Sequence, residues 1–153
     1  MKFHPTTDNR DRLPVSYTTV KEHLITYIQR EYDHGADIAQ SLKDLAVYDV
    51  DSEKPTRQES NDKDINGDLT ATGEFEQKTF DKVYDAEIKL HVERKSTLQQ
   101  NLKKAYAYIW GTCCTRTMQN KVEEQDDFSS KIENNPIELL KIVETLMHDH
   151  SAC

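Results

Sequence analysis

The sequence is poor in the residues that build turn-rich and disulfide-bonded proteins. Among its 153 residues there are four glycines, four prolines and three cysteines. So little glycine and proline argues against a turn-rich β protein and against a glycine-dependent phosphate loop. Three cysteines, of which Cys113 and Cys114 are adjacent, cannot form a disulfide framework, so we expect a reducing, cytoplasmic location.

The chain also lacks long apolar runs and any concentration of positive charge. No apolar run approaches the roughly 18 residues of a membrane span, and the first residues have no secretory apolar stretch. The formal net charge is -8, and no basic stripe could neutralise several phosphates. We therefore expect no membrane partner, and poor nucleic-acid binding by this segment alone.

What the sequence has instead is helical periodicity, which predicts an all-α fold. Val20 and Leu24 belong to the first apolar face, and Gly35 separates it from a second, shorter helix. These features predict a helical hairpin over residues 16–47. The preceding residues 1–15 are interpreted as a flexible amino-terminal segment.

Residues 48–73 contain few apolar side chains and many charged ones, so we interpret them as a disordered acidic linker. Part of this segment matches the first half of an EF-hand calcium loop, with Gly at the sixth position. The candidate ligands are Asp62, Asp64, Asn66 and Asp68. Because Gly73 stands where a bidentate Glu should close the loop, calcium is only a weak candidate, and a solvated acidic loop is the simpler interpretation.

A long helix is predicted from residue 74 to 110, which contain no proline and no glycine. Its side chains at alternating spacings of three and four are Tyr84, Ile88, His91, Lys95, Leu98, Leu102, Ala105 and Ile109. That spacing is a heptad seam. Because His91 and Lys95 interrupt it, we expect the helix to bend or break near residues 95–96 and to pack within its own domain.

Two shorter helices are predicted to follow. Asn135 and Pro136 give the last one a strong start signal, and its apolar positions exceed what a thin core needs. We predict an association face formed by Leu140, Val143 and Met147. Residues 74–150 are thus expected to pack with the hairpin as one domain.

No catalytic constellation can be assembled from the sequence. Cys113 and Cys114 have no local base, and His148, His150 and Cys153 lie near the end of the chain without a fourth metal ligand. We therefore predict neither enzyme activity nor a cofactor or a small-molecule substrate.

A family resemblance is carried by residues 103–146. Trp110-Gly111 is followed by a cysteine, by Met118 with Lys121-Val122-Glu123, by Asp127-Phe128, and by an Asn-Pro motif that leads into Leu-Leu-Lys. This succession resembles the Gag region of copia-type retrotransposon polyproteins. The stretch from residue 20 to 45 is similar to the same group.

The resemblance implies a structural, self-associating, capsid-like protein without catalysis, which would contribute to a shell around the element's RNA. It also implies that this chain is an amino-terminal fragment, and that RNA contact belongs to a downstream region absent from the sequence. The alternative from another class is a small helical adaptor, or a calcium-modulated binding module that uses the acidic loop.

Overall fold

The fold is all-α, as predicted. The computed structural model describes residues 1–5 and 16–148, and these contain five α-helices and no β-strand. The helices are α1 (Tyr17–Glu31), α2 (Gly35–Asp44), α3 (Ala71–Tyr108), α4 (Arg116–Glu123) and α5 (Pro136–Met147). Shorter helical turns cover Val50–Glu53, Ile109–Cys113 and Phe128–Ile132.

The described residues divide into two compact units, and the division falls inside α3. The first unit contains the described residues 1–5, 16–48 and 97–148, and the second contains residues 49–96. This differs from the sequence-based prediction, which placed all of residues 74–150 with the hairpin. The helix itself has no break at residues 95–96.

In the first unit, α1 and α2 form the predicted hairpin. The Ser16 hydroxyl caps α1 by accepting from the Thr19 amide at 3.1 Å. Between the helices, His34 adopts a left-handed conformation, and a Cβ atom at Gly35 would overlap the backbone carbonyl of Gln29. Only glycine fits there, which explains why the chain turns at this position.

Capping side chains also position the last two helices. The Thr115 hydroxyl accepts from the Met118 amide at 3.1 Å, which starts α4. The Asn135 side chain accepts from the amides of Ile137 and Glu138 at 3.1 and 3.2 Å, and Pro136 stands in the first turn of α5. The helix start predicted at Asn135 is confirmed, and it follows from side-chain bonding to otherwise unpaired amides.

The first five residues are part of the first unit. Phe3 is fully buried, and its amide donates to the Cys113 carbonyl at 2.6 Å while its carbonyl accepts from Thr115 at 3.1 Å. The prediction of a flexible segment over residues 1–15 is therefore wrong for residues 1–5. Burial of the Phe3 ring and pairing of its backbone fix the chain there. Residues 6–15 lie outside the described residues.

The second unit consists of the amino-terminal part of α3 and a preceding segment that we call the acidic strap, residues 49–70. The strap was expected to be a disordered linker, whereas the structure gives it many bonds to α3. Its contacts run antiparallel to the helix: Asp51 meets Lys95, Arg57 meets Asp81, and Ser60 meets Gln77. Polar contacts distant in the sequence hold this segment in place, and its composition does not reveal them.

Candidate functional site

The acidic strap lies on the face of α3 that contains the predicted seam. His91 is buried, and its Nε2 atom lies 2.9 Å from Oδ1 of Asp51. The other oxygen of Asp51 accepts from Lys95 at 3.0 Å. The hydrogen bond from His91 and the charge of Lys95 lower the pKa of Asp51 below its ordinary value. The two polar residues that interrupt the seam thus bind one carboxylate of the strap.

Further along, the strap is held by one side-chain amide and one guanidinium group. Oε1 of Gln77 accepts from the Ser60 amide at 2.8 Å, and its Nε2 donates to the Gln58 carbonyl at 2.9 Å. Arg57 donates to Asp81 at 2.9 Å, and this bond lowers the pKa of the Asp81 carboxyl. The part of the seam that belongs to the second unit is therefore occupied within the same chain.

The calcium candidates lie in a tight turn of the strap whose carboxylate serves the backbone. Oδ1 of Asp64 accepts from the amides of Asn66 and Asp68 at 2.8 and 3.1 Å. Gly67 adopts a φ of 84°, which suits glycine. All four candidate side chains are exposed. Within residues 1–5 and 16–148, no three His, Cys, Asp or Glu side chains come together as a metal site.

Gly73, which occupies the twelfth position of that would-be calcium loop, has a steric role. A Cβ atom there would overlap the carbonyl oxygen of Asp62. The same carbonyl accepts from the Thr70 amide at 3.1 Å, and the Thr70 hydroxyl accepts from the Gly73 amide at 3.0 Å. Gly73, in the first turn of α3, must therefore stay small, so a bidentate Glu has no room at this position.

The predicted association face on α5 requires correction. Leu140 and Val143 have no exposed surface, and Met147 is half-buried. Leu140 and Val143 therefore belong to the core of the first unit and do not form an exposed face. The broad apolar stripe on α5 reflects packing on several sides, which a hydrophobic pattern alone cannot distinguish from an interface.

The two adjacent cysteines are unsuited to nucleophilic chemistry. Both are buried thiols. Burial raises the pKa of Cys113, and burial raises the pKa of Cys114 to about 12. The reactive form of a cysteine is the thiolate, which this environment disfavours. The neighbouring aromatic residues pack in the same unit, with the Trp110 ring 5.5 Å from that of Phe128.

Within the part of the chain that the structure describes, the second unit exposes an apolar surface on α3, which we call the α3 stripe. Phe75, Val83 and Leu90 are 74%, 52% and 49% exposed. At about 100° per residue, they fall with the exposed Thr79 and Ala86 within about 80° of the helix circumference. The residues that bind the acidic strap lie on the opposite side of the same helix. Exposed apolar residues aligned in this way are typical of interaction surfaces, whereas scattered ones are not.

The sequence does not single out the α3 stripe, because α3 carries two apolar patterns. The stronger pattern, through Tyr84 and Ile88, is the heptad seam. The second one was readable in the spacings from Phe75 to Leu90, but the sequence does not show which face is covered.

No helix within the described residues is both long and apolar enough to cross a lipid bilayer. Comparisons with protein-family models, curated proteins and solved structures give no match.

Proposed function

We propose that this protein is a self-associating structural module, of the kind that the resemblance to copia-type Gag regions implies. The observation that carries the proposal is the α3 stripe. A thin all-α fold that exposes Phe75, Val83 and Leu90 on one helix face gains free energy when that face is buried against another surface. In this proposal the association surface is the α3 stripe, and α5 supports the core.

The rest of the chain is consistent with a packing role. The motifs that resemble Gag, from Trp110 to the Asn135-Pro136 pair, form the helix junctions and caps of the first unit. The net charge of -8 disfavours direct RNA contact by this segment. Residues outside this sequence would have to supply RNA binding to a Gag protein of this kind.

Sedimentation at rising protein concentration tests the proposal. We expect the weight-average mass of the unmodified chain to rise over roughly 10–500 μM, because a short helix face forms a weak interface. The variants Val83→Glu and Leu90→Glu should weaken this association at least about tenfold, since each places a charge in the buried centre.

Val92→Glu is the matched control, because Val92 is 60% exposed on the same helix but lies outside the α3 stripe. It should leave both the fold and the association unchanged. A chain that stays monomeric over the whole concentration range contradicts the proposed function. Equal effects of Val92→Glu and Val83→Glu would contradict the assignment to the α3 stripe.

A further inference from the structure

The α3 stripe has the spacing of a short two-stranded coiled coil. Val83 and Leu90 are seven residues apart and take the a positions of a heptad, whereas Thr79 and Ala86 take the d positions. All four are exposed, and the span from Phe75 to Leu90 is about 22 Å long. In parallel coiled coils, a β-branched residue at an a position favours two strands over three or four. The face is thus shaped to receive one more helix.

Charges along the two edges of the α3 stripe indicate which helix that is. In this register Lys82 and Lys89 lie on one edge, at g positions, and Glu87 lies on the other, at an e position. All three side chains are exposed. One edge is therefore basic, and the other carries an acidic residue where a basic partner would approach.

The same charges distinguish two ways of pairing two copies. In a parallel pair, each g position lies beside the next e position of the second helix, so Lys82 of each copy meets Glu87 of the other. In an antiparallel pair, g positions meet g positions, which would bring lysines together. Arg94, at the following e position, is already bound to Glu53 at 2.9 Å, which offsets its charge near Lys89.

We infer that the occupant of the α3 stripe is the same helix of a second copy, paired parallel and in register, with Lys82 and Glu87 forming reciprocal ion pairs between the copies. The inference rests on the proposed self-association and adds the orientation of the two chains. The acidic strap lies on the far side of each helix, so it stays in place when the two stripes meet.

Single charge reversals followed by mixing test this arrangement in the full chain. Lys82→Glu and Glu87→Lys each place like charges opposite one another in a parallel pair. Each should weaken self-association about tenfold, because two attractive pairs become repulsive. A 1:1 mixture of the two variants restores both attractive pairs, so its association in sedimentation should return to within about twofold of the unmodified chain.

Lys78→Glu provides the matched control, since it makes the same charge change on the same helix away from the e and g positions. It should have little effect on association. An antiparallel pair predicts the opposite sign, because Lys82→Glu would then relieve repulsion and strengthen association. Stronger association of Lys82→Glu would overturn the parallel arrangement. So would a 1:1 mixture that associates no more tightly than either variant alone. Neither result contradicts the proposed function. A strictly monomeric unmodified chain overturns both.

A disulfide between copies provides a second measurement of orientation. Thr79→Cys, in a chain that also carries Cys153→Ser, should oxidise rapidly to a covalent dimer, because equivalent d positions adjoin in a parallel pair. In an antiparallel pair centred on the α3 stripe, the two introduced cysteines would lie about 10 Å apart along the axis. Failure of this dimer to form while the chain still self-associates overturns the inference.

Discussion

At the scale of single residues, the lack of a Cβ atom at Gly73 allows the first turn of α3 to lie against the Asp62 carbonyl of the acidic strap. A side chain there would overlap the Asp62 carbonyl, which already accepts hydrogen bonds from Thr70. By contrast, a Cβ atom added at Gly111 would meet no other heavy atom within 4 Å. Both glycines lie in helical segments, but only Gly111 has room for a side chain.

This contrast predicts opposite effects of the same substitution. In a helix without steric conflict, Gly→Ala raises stability by roughly 0.5–1 kcal/mol. We expect Gly111→Ala to follow that rule, whereas Gly73→Ala should lower stability by about 1 kcal/mol or more, because the Asp62 carbonyl must move. Urea unfolding measures both changes, and hydrogen exchange in the acidic strap should increase for Gly73→Ala only. A stabilising effect of Gly73→Ala would contradict the steric role.

The capping residues were predictable for a local reason. Ser16 and Asn135 bond to amides two or three positions ahead, so the sequence contains both partners side by side. Asp51 and His91 are 40 positions apart, and nothing in the local pattern relates them. The residues that match a calcium loop do form a turn. In that turn, however, the Asp64 carboxylate accepts hydrogen bonds from backbone amides.

At the scale of elements, the contact between the acidic strap and α3 involves one ionised carboxylate on each segment, Asp51 on the strap and Asp81 on the helix. The hydrogen bond from His91 and the proximity of Lys95 lower the pKa of Asp51, and the hydrogen bond from Arg57 lowers that of Asp81. A carboxylate with a lowered pKa in the folded state contributes its stabilisation at pH values above its unfolded pKa. That contribution is lost as the pH falls through the lower, folded pKa.

We therefore expect the acidic strap to loosen in acid, below the ordinary carboxyl pKa of 3.8. Hydrogen exchange of residues 49–57 should then increase before the helices of the first unit unfold. Asp51→Asn should raise this exchange at neutral pH, because it removes the charge that holds Lys95. Asp85→Asn, at an exposed position of the same helix, is the control. If both variants exchange like the unmodified chain, the Asp51 contacts do not hold the strap.

At the scale of the whole molecule, stability should fall at high pH. Burial raises the pKa of Tyr17, and it raises the pKa of Cys114, Tyr106 and Tyr108 to about 12. Their ordinary values are 9.0 for cysteine and 10.0 for tyrosine. Because the folded chain holds these protons more tightly, their contribution is complete below the ordinary values and is lost as the pH rises toward the folded ones.

The melting temperature should therefore decline steadily above about pH 9. Cys114 alone contributes at most about 1.4 kcal/mol per pH unit in that range. The variant Cys114→Ala should show a shallower decline from pH 9 to 11 while melting similarly to the unmodified chain at pH 7. An unchanged slope would show that ionisation of this buried thiol does not drive the loss of stability.

The amino-acid sequence by itself determined the all-α class, the hairpin, the starts of the first and last helices and the seam on α3. Helical periodicity and capping depend on neighbours within a few residues, so a short stretch of sequence is enough to predict them. The low apolar content of residues 48–73 predicts disorder, and that prediction is wrong because polar contacts with α3 hold the segment in place. The segment is bound to α3 by the Arg57–Asp81 ion pair and by the Gln77 side-chain amide, and Gly73 leaves room for its close approach.

Only the tertiary structure decided which apolar faces are covered. Leu140 and Val143 lie on a helix whose neighbours surround it, whereas Val83 and Leu90 lie on one that the acidic strap contacts from the opposite side. Both helices show apolar residues at helical spacing, and periodicity specifies a face without specifying what packs against it. Burial is a property of the assembled chain, so the α3 stripe emerged only when the positions of the other elements were known.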